Sequence, residues 1–534
     1  MRKIISVIFT LLFFLSIVWA DISVTPYGAV SVVSGSCFLL KTKDLKFIVD
    51  CGLFMSDEDR FTNGLVAEYG NAKSRNLQFQ TELLEAEALF LTHAHLDHSG
   101  RIPLLIHKGF KGKIYSTQAT KDLTLSLFGN GNGFDLIERK WFWSKDQKEK
   151  SRNTGGRVTA HWVAGCERNV KSVEYSDCGV FLKDLEEKEN VKFLLCKRCC
   201  REEVKKIESR FIVLGYNEDI KIAEGVAVKL INAAHIPGSV SFIFRIGSKK
   251  ILFSGDLGSG YSRFNGEFDI PEKVDLIFIE ATRAYEESKI DARQYESFRN
   301  DLKRALDSGK TVWIPALSFN RTQKILYELK LMQDNGELSK KIPIYSVSPS
   351  ANFITALYQK EIGKKDIKHG NLTLKSRGGW FLIDIYQKGS ILPENVKLKM
   401  PKSYGVQMIL ISSSGDMDKG RSKQLAPKML ERSDVFVMIV NYVNPKSSAG
   451  LLLQDKNPHC RVESIAEIKK YDIFSDHADF KALQKWLSKQ NKDIKIYIIH
   501  SNEKDAQDMV KLLKGKDWQK VRTAKTEETI NLCI

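Results

Sequence analysis

The stretch THAHLDHSG, residues 92–100, carries three histidines and an aspartate within six positions. Side chains this crowded either repel one another when protonated and desolvated, or share a cation. In an extended segment or turn after a strand, alternate side chains project to the same side, so His93 and His95 can bind one ion. Asp97 and His98 can then serve a second ion nearby. The stretch therefore predicts a metal site, because zinc accepts imidazole and carboxylate ligands together.

Two other apolar runs end in a residue that can complete such a site. The run LINAAHIPGS, residues 230–239, supplies His235, and ILFSGDLG, residues 251–258, supplies Asp256. A lone histidine after a strand is more often an ordinary core or surface residue, but the same construction repeated along one chain favours ligands. Two-metal hydrolytic sites hold their ions about 3.5–4 Å apart across a shared oxygen ligand. A bridging carboxylate is therefore expected beside the histidines.

The strand and helix patterns around these motifs predict an α/β protein. Residues 22–50 alternate short apolar runs with turns, as consecutive β-hairpins do. The apolar run at 88–92 is predicted as a buried strand that leads directly into the histidines. From about residue 291, helical patterns alternate with strands, which is typical of a parallel sheet. Near residues 494–502 the chain is expected to return to the first domain.

The composition is that of a globular protein with room for more than one domain. The chain has 534 residues, 43% of them hydrophobic, which is too apolar for a disordered chain. Lys and Arg number 82 against 65 Asp and Glu, for a formal net charge of +17. A polyanionic partner is one explanation of this excess, and a solvated lysine-rich surface is the other.

The first twenty residues, MRKIISVIFTLLFFLSIVWA, have the layout of a secretory signal peptide. Two cations precede an apolar run from Ile4 to Val18, and the small residue Ala20 precedes Asp21. We expect cleavage after Ala20 and export to the periplasm or the cell exterior. An uncleaved membrane anchor is the alternative, because the run is only slightly shorter than a bilayer span. No later stretch is apolar enough to span a membrane.

Nine cysteines are present, and five of them fall between residues 166 and 200. Four of these five have spacing loosely like that of a zinc ribbon: Cys166, Cys178, Cys196 and Cys199. A structural metal site and disulfides are equally open for this cluster, since an exported protein meets an oxidising compartment. Cys37 and Cys51 lie in predicted core strands and are expected to be buried apolar fillers.

The motifs resemble those of a known fold. THAHLDHSG, AAHIPGS and FSGDLG are similar to the metal motifs of the metallo-β-lactamase fold, and IVDCGLF carries Asp50 where that fold keeps a structural aspartate. The helix–strand segment that interrupts the fold resembles a β-CASP domain, the insertion found in nucleic-acid-processing members. Within it, VWIPALSFNRTQKILYEL places Arg321 and Gln323 where the family has arginine and glutamine. The resemblance covers about residues 24–515, without the cysteine-rich segment.

The resemblance implies an αββα metallo-β-lactamase sandwich interrupted by a β-CASP domain with a parallel sheet. The expected boundaries are 1–20 for the signal peptide, 21–290 for the metallo-β-lactamase domain with a cysteine-rich insertion at 134–212, 291–470 for the β-CASP domain, and 471–534 for the return to the first domain.

The resemblance also implies roles for individual residues. It assigns one zinc to His93, His95, His235 and Asp256, and a second to Asp97, His98, Asp256 and His500, with Asp256 bridging. His477 in SDHAD would protonate the leaving oxygen or bind a phosphate oxygen, and Glu280 in FIEAT would orient it. Asp97 is counted with them in the catalytic set, and Arg321 and Ser348 are expected to contact substrate. Manganese is the other metal that the ligand set would accept.

The implied function is an exported nuclease that hydrolyses RNA phosphodiester bonds with two zinc ions, with a homodimer as one expected state. In the family, a histidine at the position of His500 marks RNA-directed members. Several departures from the family pattern leave the metal ligands intact and bear on the substrate: Val347, Ala281–Ala284, Ser501 and the altered loop SSSGDMDKG. DNA, or a small phosphoester or ester, is therefore the alternative substrate. A nucleic-acid-binding protein with a dead site is disfavoured, because every expected ligand is present.

Overall fold

The computed structural model describes residues 22–55, 72–129, 197–260, 262, 264–284, 292–362, 396–397, 407–454 and 466–532. The predicted signal peptide lies outside the described residues, as do Cys166, Cys178 and Cys196. Cys199 lies in a described helix, but its side chain is not among those described. Among the helices described, none has the length and apolar character needed to cross a bilayer.

The described chain contains both strands and helices throughout. The strands are β1 (Ile22–Pro26), β2 (Phe38–Lys41), β3 (Lys46–Val49), β4 (Ala88–Phe90), β5 (Lys113–Ser116), β6 (Phe211–Val213), β7 (Ile220–Ala223), β8 (Val226–Asn232), β9 (Val240–Ile246), β10 (Lys249–Phe253), β11 (Leu276–Glu280), β12 (Thr311–Pro315), β13 (Ile344–Ser346), β14 (Val396–Lys397), β15 (Ile409–Ser412), β16 (Val435–Ile439), β17 (Glu467–Lys470), β18 (Lys495–Ile499), β19 (Val521–Thr523) and β20 (Ile530–Leu532). The helices are α1 (Ala72–Leu77), α2 (Thr81–Leu84), α3 (Leu96–Ser99), α4 (Ile102–His107), α5 (Gln118–Gly129), α6 (Lys197–Glu208), α7 (Ala292–Asp307), α8 (Arg321–Asp334), α9 (Pro349–Ile362), α10 (Gly420–Leu430), α11 (Ser448–Leu452), α12 (Phe480–Trp486) and α13 (Glu503–Lys514).

Two seven-stranded sheets pack face to face. The first has the order β20-β1-β2-β3-β4-β5-β6, and the second has the order β19-β18-β11-β10-β9-β8-β7. Alternate side chains of a strand point to opposite faces, so Phe38 and Leu40 of β2 face the second sheet while Leu39 packs under helices. The ring of Phe38 lies 5.7 Å from that of Phe253 in the second sheet, and burying such a ring contributes roughly 1.5–3 kcal/mol. Helices cover the outer faces, which gives an αββα sandwich.

The third sheet has the order β14-β13-β15-β12-β16-β17, and every pairing in it is parallel. Its strands all lie between Thr311 and Lys470. β12 is buried on both faces: Val312 and Ile314 pack toward α7 and α8, while Trp313 packs toward α10. Strands buried in this way read as continuous apolar runs. The predicted α/β class with a parallel sheet is confirmed.

The last part of the predicted cysteine-rich insertion belongs to the first sheet. β6 pairs in parallel with β5, with Ile114 opposite Phe211, and Ile207 of α6 is buried in the same apolar cluster as Phe128 of α5. The expected insertion end at residue 212 therefore falls inside an edge strand. This strand is short and largely exposed, so it carries little of the apolar signal on which strand prediction depends.

Candidate metal centre

The predicted ligands lie together at the carboxyl ends of strands from both packed sheets. The strand ends and the ligands that follow them are β4 with His93, β8 with His235, β10 with Asp256 and β18 with His500. Several residues at these turns adopt left-handed backbone conformations, with φ of 60° at Asp50, 53° at Ala234, 56° at Gly255 and 50° at His500. Residues with a side chain rarely adopt this conformation, because it costs about 1 kcal/mol or more. Those that do adopt it are found most often at functional sites. Tight turns of this kind bring ligands from distant parts of the chain to one place.

The first ligand group combines three histidines with one oxygen of Asp256. His95 Nδ1 lies 3.1 Å from both His93 Nε2 and His235 Nε2. Asp256 Oδ2 lies 3.6 Å from His93 Nε2 and 3.4 Å from His235 Nε2. The ligand atoms of a tetrahedral zinc, each about 2.0–2.1 Å from the ion, are about 3.3 Å from one another. These four side chains therefore match the spacing of one tetrahedral set.

The second ligand group uses the other oxygen of Asp256. Asp256 Oδ1 lies 3.2 Å from His98 Nε2 and 3.4 Å from His500 Nδ1. The two histidine Nε2 atoms are 3.1 Å apart, and Asp97 Oδ2 lies 3.7 Å from His500 Nε2. Asp97 and His98 lie in the helical turn α3 and not in an extended segment, so the alternation argument applies only to the first pair of histidines. One carboxylate nevertheless faces both groups.

The charge states of His93 and His235 suit a cation, whereas Asp256 and Asp50 outweigh burial and raise the pKa of His98 well above the usual histidine value. Burial, together with the neighbouring imidazole of His98, lowers the pKa of His93 well below the usual histidine value, and burial with His477 does the same to the pKa of His235. Neutral imidazole is the form that binds metal. Asp256 is buried, yet its Oδ1 accepts no hydrogen bond of good geometry from the described residues. A buried carboxylate oxygen with free lone pairs is chemically suited to bind a cation. The donor set fits a two-metal centre.

Outer contacts fix the orientation of the metal-facing imidazoles. Asp50 Oδ2 lies 2.6 Å from His98 Nδ1, and Asp50 Oδ1 accepts hydrogen bonds from the amide and hydroxyl of Thr92 at 2.8 and 3.0 Å. His235 Nδ1 lies 2.8 Å from the Asp476 carbonyl oxygen. A histidine that donates Nδ1–H to such an oxygen keeps the lone pair of Nε2 for a metal. Asp50 thus supports a ligand, which is the kind of role that the family resemblance implies for it.

His477 and Glu280 form a separate pair beside the two ligand groups. The Nδ1 atom of His477 lies 3.1 and 3.2 Å from the two oxygens of Glu280, which is fully buried. Glu280 also accepts hydrogen bonds from the amides of Leu257, at 2.8 Å, and Thr282, at 3.1 Å. Burial opposes protonation of His477, but Glu280 outweighs it and raises the pKa of His477 to about 9. The imidazole is therefore a cation at neutral pH in the absence of metal.

The structure gives internal partners to both residues expected to contact substrate. Arg321 is buried, donates a hydrogen bond to the Val440 carbonyl, and lies 3.5 Å from an oxygen of Asp476. Ser348 is buried as well, and its Oγ accepts a hydrogen bond of 2.6 Å from the Ser413 amide. Their predicted role thus differs from the role that their contacts support, which is to hold the β-CASP loops in place. A substrate contact by either side chain stays a prediction.

Sequence reasoning missed several residues that surround the ligands. The ring of Phe319 lies 4.6 Å from that of His95, and Asn320 donates to the His235 carbonyl at 3.1 Å. Thr282 Oγ1 lies 2.9 Å from His500 Nδ1. Phe319 and Asn320 follow β12 in the segment that resembles the β-CASP motif. Their position after the end of a strand is the sequence feature that could have placed them at the site. Thr282 follows the predicted strand that ends at Glu280.

The structure describes the side chains of Cys37 and Cys51, two of the cysteines for which the sequence predicts a role. Cys37 and Cys51 are free thiols and fully buried, and their side chains interact with each other, as expected for core residues. The prediction that the cysteine-rich cluster binds a metal or forms disulfides concerns side chains outside those described.

We expect Gly52→Ala to weaken zinc binding at least tenfold and to lower the melting temperature. A Cβ at residue 52 would lie only 1.5 Å from the carbonyl oxygen of Asp97 and 2.7 Å from the amide of His98. The turn that carries both ligands must then move, and supporting contacts of this kind are worth 10–100-fold in metal affinity. Zinc titration of the folded protein measures the effect. Gly215→Ala is the matched control, because the nearest atom to its Cβ is at 3.6 Å. Wild-type zinc affinity in Gly52→Ala would contradict the proposed role of this close approach.

Three family models match the chain in the order in which the domains occur. The metallo-β-lactamase superfamily matches residues 30–166, the β-CASP domain matches 322–452, and the Zn-dependent metallo-hydrolase RNA specificity domain matches 461–524. The third match contains His500 of the second ligand group and His477 of the pair beside it.

Several relatives match most of this chain at low identity. A ribonuclease of Thermus thermophilus is 22% identical over 92% of this chain and 95% of its own length. The transcription termination factor FttA of Methanosarcina mazei is 23% identical over 96% of this chain and 72% of its own length. An RNase J-like protein of Methanocaldococcus jannaschii is 23% identical over 89% of this chain and 91% of its own length.

The fold, the ligand groups and these matches agree with one another. The chain belongs to the metallo-β-lactamase fold hydrolases of the β-CASP family, and it is a metal-dependent hydrolase.

Proposed function

We propose that this protein is a ribonuclease that hydrolyses RNA phosphodiester bonds with two zinc ions. The observation that carries the proposal is the position of Asp256, whose two oxygens face two separate groups of imidazoles. The match to an RNA specificity domain, and relatives described as ribonucleases, support RNA as the polymer. The formal net charge of +17 is compatible with a polyanionic substrate.

Two sets of side chains would hold the two ions of such a site. The residues that would hold the first ion are His93, His95, His235 and Asp256, and those that would hold the second are Asp97, His98, His500 and Asp256. When bound, two ions of this kind lower the pKa of a water molecule and stabilise the charge that develops on a phosphoryl group. The chain contributes the fixed spacing of the ligands and the buried aspartate that serves both groups.

His477 is the residue placed to handle a proton. It carries a proton at neutral pH because Glu280 raises its pKa to about 9 against the effect of burial. Its Nδ1 is engaged by Glu280, so its Nε2–H is left to donate to the leaving oxygen or to a phosphate oxygen. Glu280, held by two backbone amides, fixes the ring in this orientation.

We expect the purified chain from Asp21 onward, loaded with zinc or manganese, to cleave end-labelled single-stranded RNA and to leave the matching DNA largely intact. Product sizes on a sequencing gel measure both reactions and separate endonucleolytic from exonucleolytic cleavage. His477→Ala serves as the control for contaminating nucleases. Cleavage of DNA at the same rate would restrict the proposal to a nuclease without RNA preference. No cleavage of either polymer by metal-loaded protein would overturn the nuclease function and favour a small ester as substrate.

Salt dependence separates a polymer substrate from a small one. Each phosphate contact with a single strand contributes a slope of about −0.7 to log K against log salt. RNA binding by the Asp256→Asn variant, which is expected not to turn over substrate, should therefore weaken steeply between about 50 and 200 mM salt. A flat dependence would contradict an extended phosphate-binding path.

We also propose that the protein acts outside the cytoplasm. The support is the charged and apolar pattern of residues 1–20. Cell fractionation with N-terminal sequencing checks it, and the expected product begins at Asp21 in the exported fraction. Intact Met1 in the cytosolic fraction would contradict the proposal. Light scattering on the same preparation tests the expected homodimer.

A further inference from the structure

A buried cluster of charged side chains lies behind the first ligand group, between α8 and the segment that carries His477. Lys324 Nζ lies 2.6 Å from Asp476 Oδ1, and Arg321 Nη2 lies 3.5 Å from Asp476 Oδ2. All three residues are at most 7% exposed. None of them is a member of the ligand groups or of the pair formed by His477 and Glu280.

The cluster is connected to a metal ligand through two short paths. The Asp476 carbonyl oxygen is the acceptor for His235 Nδ1 at 2.8 Å. Asn320, the residue immediately before α8, donates both to Asp476 Oδ1 at 2.6 Å and to the His235 carbonyl at 3.1 Å. Lys324 also donates to the Ser475 carbonyl at 2.9 Å. Helix α8 of the β-CASP domain therefore holds the backbone of residues 475–476 in place. The carbonyl of Asp476 in turn orients the ring of His235.

We propose that Lys324 is a positioning residue for the metal centre, acting through Asp476 on the imidazole of His235. The inference rests on the proposed two-zinc site and deepens it, because it makes the affinity for one of the two ions depend on a residue of the β-CASP domain. The His235 ring binds an ion through Nε2 only while Nδ1 keeps its acceptor, and Lys324 holds that acceptor from the opposite side.

The charge balance indicates which variant is informative. Burial lowers the pKa of Lys324, and Asp476 opposes this shift. Burial would raise the pKa of Asp476, but Lys324 and Arg321 hold it well below its usual range. Removing Asp476 would leave two buried cations without an anion, which is strongly destabilising. Removing only the charge of Lys324 leaves Asp476 paired with Arg321, so Lys324→Met is expected to fold.

We expect Lys324→Met to weaken one of the two zinc-binding steps about 10–100-fold and to leave the other unchanged. Calorimetric zinc titration of the metal-free protein resolves the two steps, and His235→Ala identifies the step to which His235 contributes. The melting temperature of the metal-free protein is measured in parallel. Lys330→Met is the matched control. Lys330 lies on the same helix, but it forms its ion pair with Asp334, which is exposed. Lys324→Gln provides a second variant that keeps a hydrogen-bond donor, and it should weaken the same step by less.

Several outcomes would overturn this inference. One is wild-type zinc binding in both folded variants, which would limit Lys324 to packing. Another is equal weakening of both steps together with a lower melting temperature of the metal-free protein, which would indicate general destabilisation. A wild-type protein that binds zinc in two steps but leaves RNA intact would overturn the proposed function, while selective weakening by Lys324→Met would still support this one.

Discussion

Replacing Asp256 by asparagine is expected to abolish hydrolysis while leaving the sheets intact. Each oxygen of Asp256 faces a different group of imidazoles, at 3.4–3.6 Å on one side and 3.2–3.4 Å on the other. An asparagine offers one neutral oxygen in place of two that share a negative charge, so it can serve at most one group. A loss of several kcal/mol of charge stabilisation corresponds to roughly a thousand-fold or greater fall in kcat.

Two measurements decide this prediction. Metal content after dialysis should fall from two ions to one or none, and kcat on RNA should fall together with it. Asp275→Asn is the matched control: Asp275 precedes β11 in the same sheet, is exposed, and accepts a hydrogen bond only from the Lys250 amide among its described contacts. Full activity in Asp256→Asn with two bound ions would contradict a bridging role.

Part of the ligand set could be predicted from the residues alone because its members follow strands, whereas His500 entered through the family resemblance. His93, His235 and Asp256 all follow short apolar runs, and parallel and antiparallel neighbours in the packed sheets bring those strand ends to one edge. The alternation of helices and strands after residue 291 likewise predicted the parallel sheet, since strands buried on both faces leave continuous apolar runs. In both cases the signal is local in sequence.

What could not be predicted depends on pairs of residues that are distant in sequence. Asp476 lies 152 residues from Lys324, and neither residue has a local pattern that indicates a buried ion pair. Arg321 is expected to contact substrate, and the contacts of its guanidinium with Asp476 and the Val440 carbonyl were not predicted. A residue type at a family position predicts what a side chain can bind, whereas its partner is decided by packing between elements.

His477→Ala is expected to lower kcat about 10²–10⁴-fold while leaving the zinc content at two ions. Although His477 lies within reach of Asp256 and His500, its Nδ1 is engaged by Glu280, so it is assigned here to proton transfer and not to metal binding. Steady-state kinetics on RNA with metal analysis of the same sample measures both quantities. KM should change little if His477 donates its proton chiefly in the transition state. Loss of a zinc ion in this variant would instead make His477 a ligand.

The companion variant Glu280→Gln tests the same residue through pH. Against the effect of burial, Glu280 raises the pKa of His477 to about 9, so the protonated form persists at neutral pH and is lost as pH rises through that value. With glutamine in its place, burial favours the neutral ring and the pKa of His477 falls toward or below the usual 6.5. Bound cations lower the pKa of His477 in both proteins and leave the sign of the difference unchanged. The basic limb of the kcat profile should therefore move to lower pH in Glu280→Gln. A basic limb that stays in place would mean that the proton comes from another donor, and a fall in kcat without a shift would limit Glu280 to orienting the ring.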